Sequence, residues 1–345
     1  MYLSKSKKLI ALGLTAIAIV GVGSSLNSAK AASSNDSLVP VRDTLVNEYK
    51  IISPRIGYNA ETGFIRIDGQ DAFKSESNND GQSYASQETL KAAVAKFKNA
   101  QEKLTFVIIH GSWADVSQFD EVAAELRKQG HKVYRPEMPG HGVMSNDKNV
   151  THKQITDSVV DYIKKNDLKH IVLLGHSFGG TVVATVAQEI PDRIDRLVFS
   201  NAFAPLDGQS LYDQLPPPVQ DTFKQLADAS GDNTIMLPFP LFRDAFANTA
   251  SLEEAKAMYS KITPEPASPL FQKLDLKKFY SLQIPKSYIN LTEDIALPPG
   301  PFAWHTNQSS HLGFYRYIEG DGDHFTTFHT DPKMVAEKFV EAGRK

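Results

Sequence analysis

The sequence predicts an α/β chain: a mainly parallel sheet with helices on both faces and a helical lid inserted late in the sheet. Three observations carry this. Apolar, β-branched runs alternate with amphipathic stretches between residues 104 and 200. The run Ile171-Val172-Leu173-Leu174 breaks at Gly175-His176-Ser177-Phe178-Gly179 and passes directly into helix-forming sequence. The strand pattern, lost after Ala202, resumes at Lys286. Alternating strands and helices place helical cover on both faces of a sheet, and the continuous apolar character of the strands fits burial on both sides.

The N-terminus differs in kind from the rest. Lys5, Lys7 and Lys8 precede the apolar run Leu9 to Val22, and Ala29-Lys30-Ala31 offers small residues where a signal peptidase reads. The run is short for a membrane span, so residues 1–31 are expected to be a signal peptide cleaved near Ala31, with an uncleaved anchor as the alternative. Cleavage removes four lysines and no acid, taking the formal charge from −3 to −7. An acidic exported protein is a poor partner for nucleic acid. No cysteine is present, which excludes disulfides, thiol catalysis and thiolate metal sites. Secretion without cysteine leans towards a bacterium that exports through a single membrane.

Residues 32–100 read as an N-terminal extension with a polar linker. Leu45 to Ile56 and Gly63 to Ile67 have strand character, Lys74 to Gln87 reads as a loop or linker, and Glu88 to Asn99 as a helix with Leu90, Val94 and Phe97 on one side. The domain expected to carry the chemistry, residues 101–345, opens with the strand Leu104 to Ile109. A helix from Gln118 to Gln129, closed by Gly130, leads to a strand from His131 to Arg135. Helix Thr151 to Lys165 precedes the run at Ile171, and the strand Ile194 to Ser200 follows the next helix. From about 202 to 282, prolines interrupt short helical pieces and aromatic residues accumulate, the mark of a lid. Strands at Lys286 to Leu291 and Gly313 to Glu319 and a helix from Pro332 to Ala342 close the chain.

Gly175-His176-Ser177-Phe178-Gly179 matches G-x-S-x-G, a strand-to-helix turn that exposes a serine hydroxyl. Side chains at 175 and 179 are expected to collide with the neighbouring helix and strand. Serine is a weak nucleophile alone; it needs a base, and the base needs an orienting group. Asp294 lies just past the strand Lys286 to Leu291, and His324 just past the last strand, so Ser177, Asp294 and His324 are candidate catalytic residues. Glu293 competes with Asp294 as the acid. Asp323 is expected to shape the histidine loop, His176 to pack, and His305 to be the likeliest of the later histidines to line a pocket. Backbone N–H groups of Phe178 and Ser112 are candidates for an oxyanion hole. Trp113, Phe203, Phe239 and Phe242 are candidate pocket walls, each equally suited to the core.

From about Leu104 onwards the chain resembles the α/β-hydrolase-fold serine hydrolases. It is most similar to the branch of small carboxylesterases that includes plant methyl esterases and hydroxynitrile lyases. The resemblance is carried by His110-Gly111-Ser112-Trp113, Pro139-Gly140-His141-Gly142, Gly175 to Gly180, Thr292 to Pro298 and Gly322-Asp323-His324. It implies hydrolysis of a carboxylic ester through an acyl-enzyme, with a small-molecule ester as partner and no metal or organic cofactor. A hydroxynitrile lyase of this branch would have threonine at Gly111 and lysine at Phe325. Lactonase, amidase and thioesterase chemistry use the same triad and stay open, as does a non-catalytic binding protein on the same scaffold.

Overall fold

In the computed structural model, which describes residues 38–51, 55–59, 62–67, 70–77 and 83–344, six parallel strands form the central sheet. Their order is Arg316–Gly320, Lys286–Leu291, Ile194–Ala202, Ile171–Ser177, Thr105–Ile109 and Lys132–Tyr134. The register is parallel at every pairing, so each strand must return through a crossover, which the intervening helices supply. The expected signal peptide, residues 1–31, lies outside the described residues.

Strand alternation divides the core in two. Val107, Ile109, Ile171, Leu173, Leu197 and Phe199 point to one face, where they pack on the helices His152–Lys165 and Gly179–Glu189 and on the lid. Phe106, Ile108, Val172, Leu174 and Val198 point to the other, against the helices Asp120–Lys128 and Pro332–Gly343. Both faces are apolar because both are covered, which is why the strands read as unbroken hydrophobic runs. The helix His152–Lys165 begins with a complete capping box, Thr151 accepting from Gln154 N and Gln154 accepting from Thr151 N. The helix expected from Gln118 starts two residues later, because Asp115 caps Ser117 N and makes Val116–Phe119 a 3-10 turn.

The chain divides into two compact units, Met1–Lys98 and Asn99–Lys345. In the first, Ile56–Asn59, Phe64–Ile67 and Gln70–Lys74 form an antiparallel sheet. Val39–Pro40, Ser83–Ala85 and Glu76–Ser77 form a second. Leu45, Ile65, Ile67, Leu90, Val94 and Phe97 belong to a core of its own. Two expectations need correction. Leu45 belongs to a helix, Val41–Asn47, whose buried face takes Val41, Thr44 and Leu45 at i, i+3 and i+4, so the apolar spacing is helical rather than alternating. Within Lys74 to Gln87, short strands at 76–77 and 83–85 replace part of the expected loop; residues 78–82 lie outside the described residues.

The lid, between the strands ending at Ala202 and beginning at Lys286, contains the helices Pro217–Ser230 and Leu252–Tyr259, a two-residue antiparallel pair (Thr234–Ile235 with Glu265–Pro266) and several single turns. Pro217 and Pro218 sit in the first turn of their helix, where no N–H bond is lost.

The turn after Ile171–Ser177 brings strand and helix close enough to exclude side chains. A Cβ at residue 175 would lie 2.4 Å from the Gly179 carbonyl oxygen, and one at 179 would lie 2.6 Å from that of Ile109. Both contacts are with backbone, which cannot rotate away. Gly175→Ala is therefore expected to lower stability by about 3 kcal/mol, the upper range for overpacking. Denaturant unfolding of wild type and variant checks this, and equal midpoints would contradict it.

Candidate active site

Ser177 is the last residue of its strand and takes a left-handed backbone conformation, φ 54°. A non-glycine residue there costs about 1–2 kcal/mol, a strain the packed turn holds. Phe178 follows as N-cap of the helix Gly179–Glu189, so its peptide lies at the positive end of the helix dipole. Phe203 N donates to Ser177 O at 3.0 Å, tying the turn to the adjacent strand end.

His324 and Asp294 pair with each other, and His324 lines the same cavity as Ser177. His324 Nδ1 lies 2.6 Å from Asp294 Oδ2, and both side chains are buried. Asp294 Oδ1 accepts from Ala296 N at 3.0 Å, which fixes the carboxylate. The competing Glu293 is exposed and its peptide N donates to Gly322 O. Asp323 accepts from the backbone N–H groups of Phe325 and Thr326 and from the hydroxyls of Thr326 and Thr249, so it shapes the turn that presents His324. Asn201, which the sequence reading missed, donates to Leu291 O and accepts from Leu291 N, pinning the strand end that leads to Asp294. Among the described residues, no group of three or more His, Asp or Glu is placed to hold a metal ion.

Ser177 and His324 both line a cavity of about 260 Å³ under the lid, with Ser112 at the same wall. Its other walls are apolar: Trp113, Phe203, Phe223, Phe246, Leu270 and Trp304 among them. The ring of Trp304 stacks on that of His324, centroids 5.3 Å apart at 10°. Of the four expected walls, Trp113 and Phe203 face the cavity; Phe239 and Phe242 do not. Phe242 is fully buried against Tyr259 and Phe325, and Phe239 packs on Tyr259. Residue 246, at the other end of the π-helical turn Phe242–Phe246, faces the cavity instead. His305 bonds Ser309 and packs on Tyr317, away from the cavity; its neighbour Trp304 supplies the wall. The missed walls Phe223 and Leu270 carried no signal in a proline-broken segment without a clear period.

Comparison with known proteins places the chain. The profile of the alpha/beta hydrolase fold matches residues 105–236. A solved structure described as an extracellular alpha/beta-hydrolase from a Paenibacillus species, with structural and functional homology to tobacco salicylic acid binding protein 2, is 65% identical, covering 70% of this chain and 100% of that one with a TM-score of 0.69. The chain belongs to the α/β hydrolase family. Its esterase-type relatives include the carbendazim hydrolyzing esterase of Nocardioides, 38% identical over 113 residues, which are 32% of this chain and 47% of that enzyme. The pyrethroid hydrolase of Sphingobium wenxiniae is 24% identical over 264 residues, 69% of this chain and 91% of that enzyme. The chain thus spans about half the length of the first of these and most of the second.

Several buried histidines frame the hydrolase site, and their charges differ by environment. His176 is held well below the ordinary histidine pKa by burial and by the neighbouring His324, whose ring centroid is 4.4 Å away; its Nδ1 faces Ser200 O at 2.9 Å. His141 is also buried, which favours the neutral ring, but the Glu265 carboxylate at 2.8 Å outweighs burial and raises its pKa. His152 is brought down to about 4 by burial; its Nε2 meets Thr181 Oγ1 at 2.9 Å on the helix Gly179–Glu189, the elbow helix that follows the Ser177 turn. Because His152 binds a proton more readily unfolded than folded, its contribution to stability is present above pH 6.5 and is lost as pH falls towards 4. The difference amounts to about 3 kcal/mol. His152→Gln is expected to remove that much of the acid-side loss between pH 6.5 and 4, read from unfolding curves at each pH; unchanged steepness would contradict the assignment.

Proposed function

We propose that this esterase-type hydrolase cleaves carboxylic esters of small or medium, apolar or aromatic substrates through an acyl-enzyme. Ser177 Oγ attacks the ester carbonyl as its proton passes to His324 Nε2, while Asp294 holds the other ring nitrogen and stabilises the imidazolium. The backbone N–H groups of Ser112 and Phe178 receive the oxyanion. Collapse expels the alcohol, which takes the proton from His324, and water repeats the sequence on the acyl carbonyl. The observation that carries this reading is the 2.6 Å His324–Asp294 bond beside a strained Ser177 that opens on the same cavity.

The cavity supports the substrate class. A dry cavity on the order of 150 Å³ already holds benzene, so about 260 Å³ leaves room for a monocyclic aromatic or medium acyl group. Besides the indole N–H groups of Trp113 and Trp304, its polar side chains are Ser112, Ser177, Thr222 and His324, with no Lys, Arg, Asp or Glu, so a charged acyl group would be buried without an ionic partner. The Paenibacillus hydrolase is described as extracellular, which supports the secreted location that we propose. At Gly111, a Cβ would lie 2.9 Å from Ser177 Cβ, which disfavours the threonine of the lyase pattern.

Ser177→Ala is expected to lower kcat about 10⁴-fold or more and to abolish labelling by a serine-directed phosphonate, which wild type takes up in a 1:1 ratio. Equal labelling of both proteins would refute the nucleophile. Across p-nitrophenyl esters, kcat/KM should be highest for short and medium acyl chains and fall for the longest; a maximum at the longest chains would refute the substrate class.

A further inference from the structure

Trp113 follows the proposed oxyanion residue Ser112 and occupies the left-handed region, φ 61°, although it is neither glycine nor asparagine. All three of its polar groups are bonded to the lid. Its backbone N–H donates to Glu265 Oε2 at 2.8 Å, its carbonyl accepts from Thr263 N at 3.2 Å, and its indole Nε1 donates to Ile235 O at 2.7 Å. Ile235 and Glu265 are direct partners in the two-residue antiparallel pair of the lid, so one small clasp grips the residue from both ends.

Glu265 is the charged member of that clasp, and it is fully buried. The same Oε2 that receives Trp113 N–H lies 2.8 Å from His141 Nε2. The other ring nitrogen of His141 faces Pro139 O at 3.1 Å. A carboxylate and a carbonyl both accept, so only a doubly protonated imidazole can donate to each. With Glu265 ionised, a ring protonated on both nitrogens meets both contacts, in line with the raised pKa of His141, and that carboxylate is the one that holds the Trp113 peptide. Burying such a pair gives little stability over an apolar substitute, and removing one partner leaves an uncompensated charge. Its use here is geometric. The Trp113 N–H belongs to the peptide that joins it to Ser112, so this bond sets the backbone of Ser112 beside the proposed nucleophile.

We propose that Glu265 is a positioning residue for ester hydrolysis: from the lid, and paired with His141, it holds the Ser112–Trp113 peptide and so fixes the adjoining Gly111–Ser112 peptide, whose N–H is the proposed oxyanion donor. This rests on the reading of Ser112 as an oxyanion donor. It assigns the lid a part in transition-state geometry in addition to the shape of the cavity.

The test compares Glu265→Ala and Glu265→Gln with wild type, using active sites counted by phosphonate titration and a matched pair of substrates, an ester and its thionoester. Sulfur accepts hydrogen bonds weakly, so thionoester turnover depends less on oxyanion donors. Loss of one such donor costs about 10²–10³ in kcat. Glu265→Ala should lower kcat for the ester about 100-fold with KM within about threefold, and lower the ester-to-thionoester ratio at least about tenfold. Glu265→Gln keeps an acceptor for Trp113 N–H and should recover part of both. A role in folding alone would reduce the number of titratable sites and leave kcat per site and the ratio at wild-type values, which would overturn the proposal. If the alanine variant does not fold, the ratio in Glu265→Gln decides: a wild-type value overturns the proposal, a lowered one supports it. Ser177→Ala serves as control, because retained turnover there would defeat the catalytic reading itself rather than the role of Glu265.

Discussion

The close approach of the elbow helix to the sheet is the constraint on which the rest of the site depends. Backbone contacts at residues 175 and 179 leave no room for a Cβ, and the chain can turn from strand to helix there only with Ser177 in the left-handed region. That turn aims the serine out of the sheet and starts a helix immediately behind it. The neighbouring strand ends then deliver the other groups: Lys286–Leu291 leads into Asp294, and Arg316–Gly320 into His324. A parallel sheet brings these ends to one edge, so the three residues proposed as catalytic all follow strand ends on the same side of it.

Polarity around the site is segregated. The cavity is lined almost wholly by aromatic and aliphatic side chains, while buried charge is used to fix the loops that surround it. Asp323 gathers the histidine turn, Asn201 joins two strand ends, and His141 with Glu265 ties a core loop to the lid. Asp323 and Asn201 are satisfied by the backbone they order, which is how a buried polar residue is tolerated in a hydrophobic interior. The cavity proposed for substrate is apolar, and the N–H groups proposed for the oxyanion would act more strongly there on developing charge than in water.

Much of this was legible in the sequence because it is local or periodic. Ser177 lies in a contiguous motif between a strand and a helix, and the central strands Thr105–Ile109 and Ile171–Ser177 are apolar because both faces of the sheet are covered. Asp294 and His324 could be singled out as candidates because each follows a strand end, and the structure pairs them with each other. What could not be read depends on contacts across the chain. Phe242 and Phe246 look alike in sequence, and only the wide turn that joins them sends one into the core and the other to the cavity. Glu265, between two prolines, gives no hint that it meets His141 and Trp113, both more than a hundred residues earlier. Leu45 was misread because a seven-residue helix is too short for its period to stand out from strand alternation.

The chain holds two tryptophans, Trp113 and Trp304, and both border the cavity. One is clamped by the lid and the other lies flat on the imidazole of His324. Tryptophan emission therefore originates at the wall of this cavity, so entry of a ligand or loosening of the lid is visible optically without an attached dye.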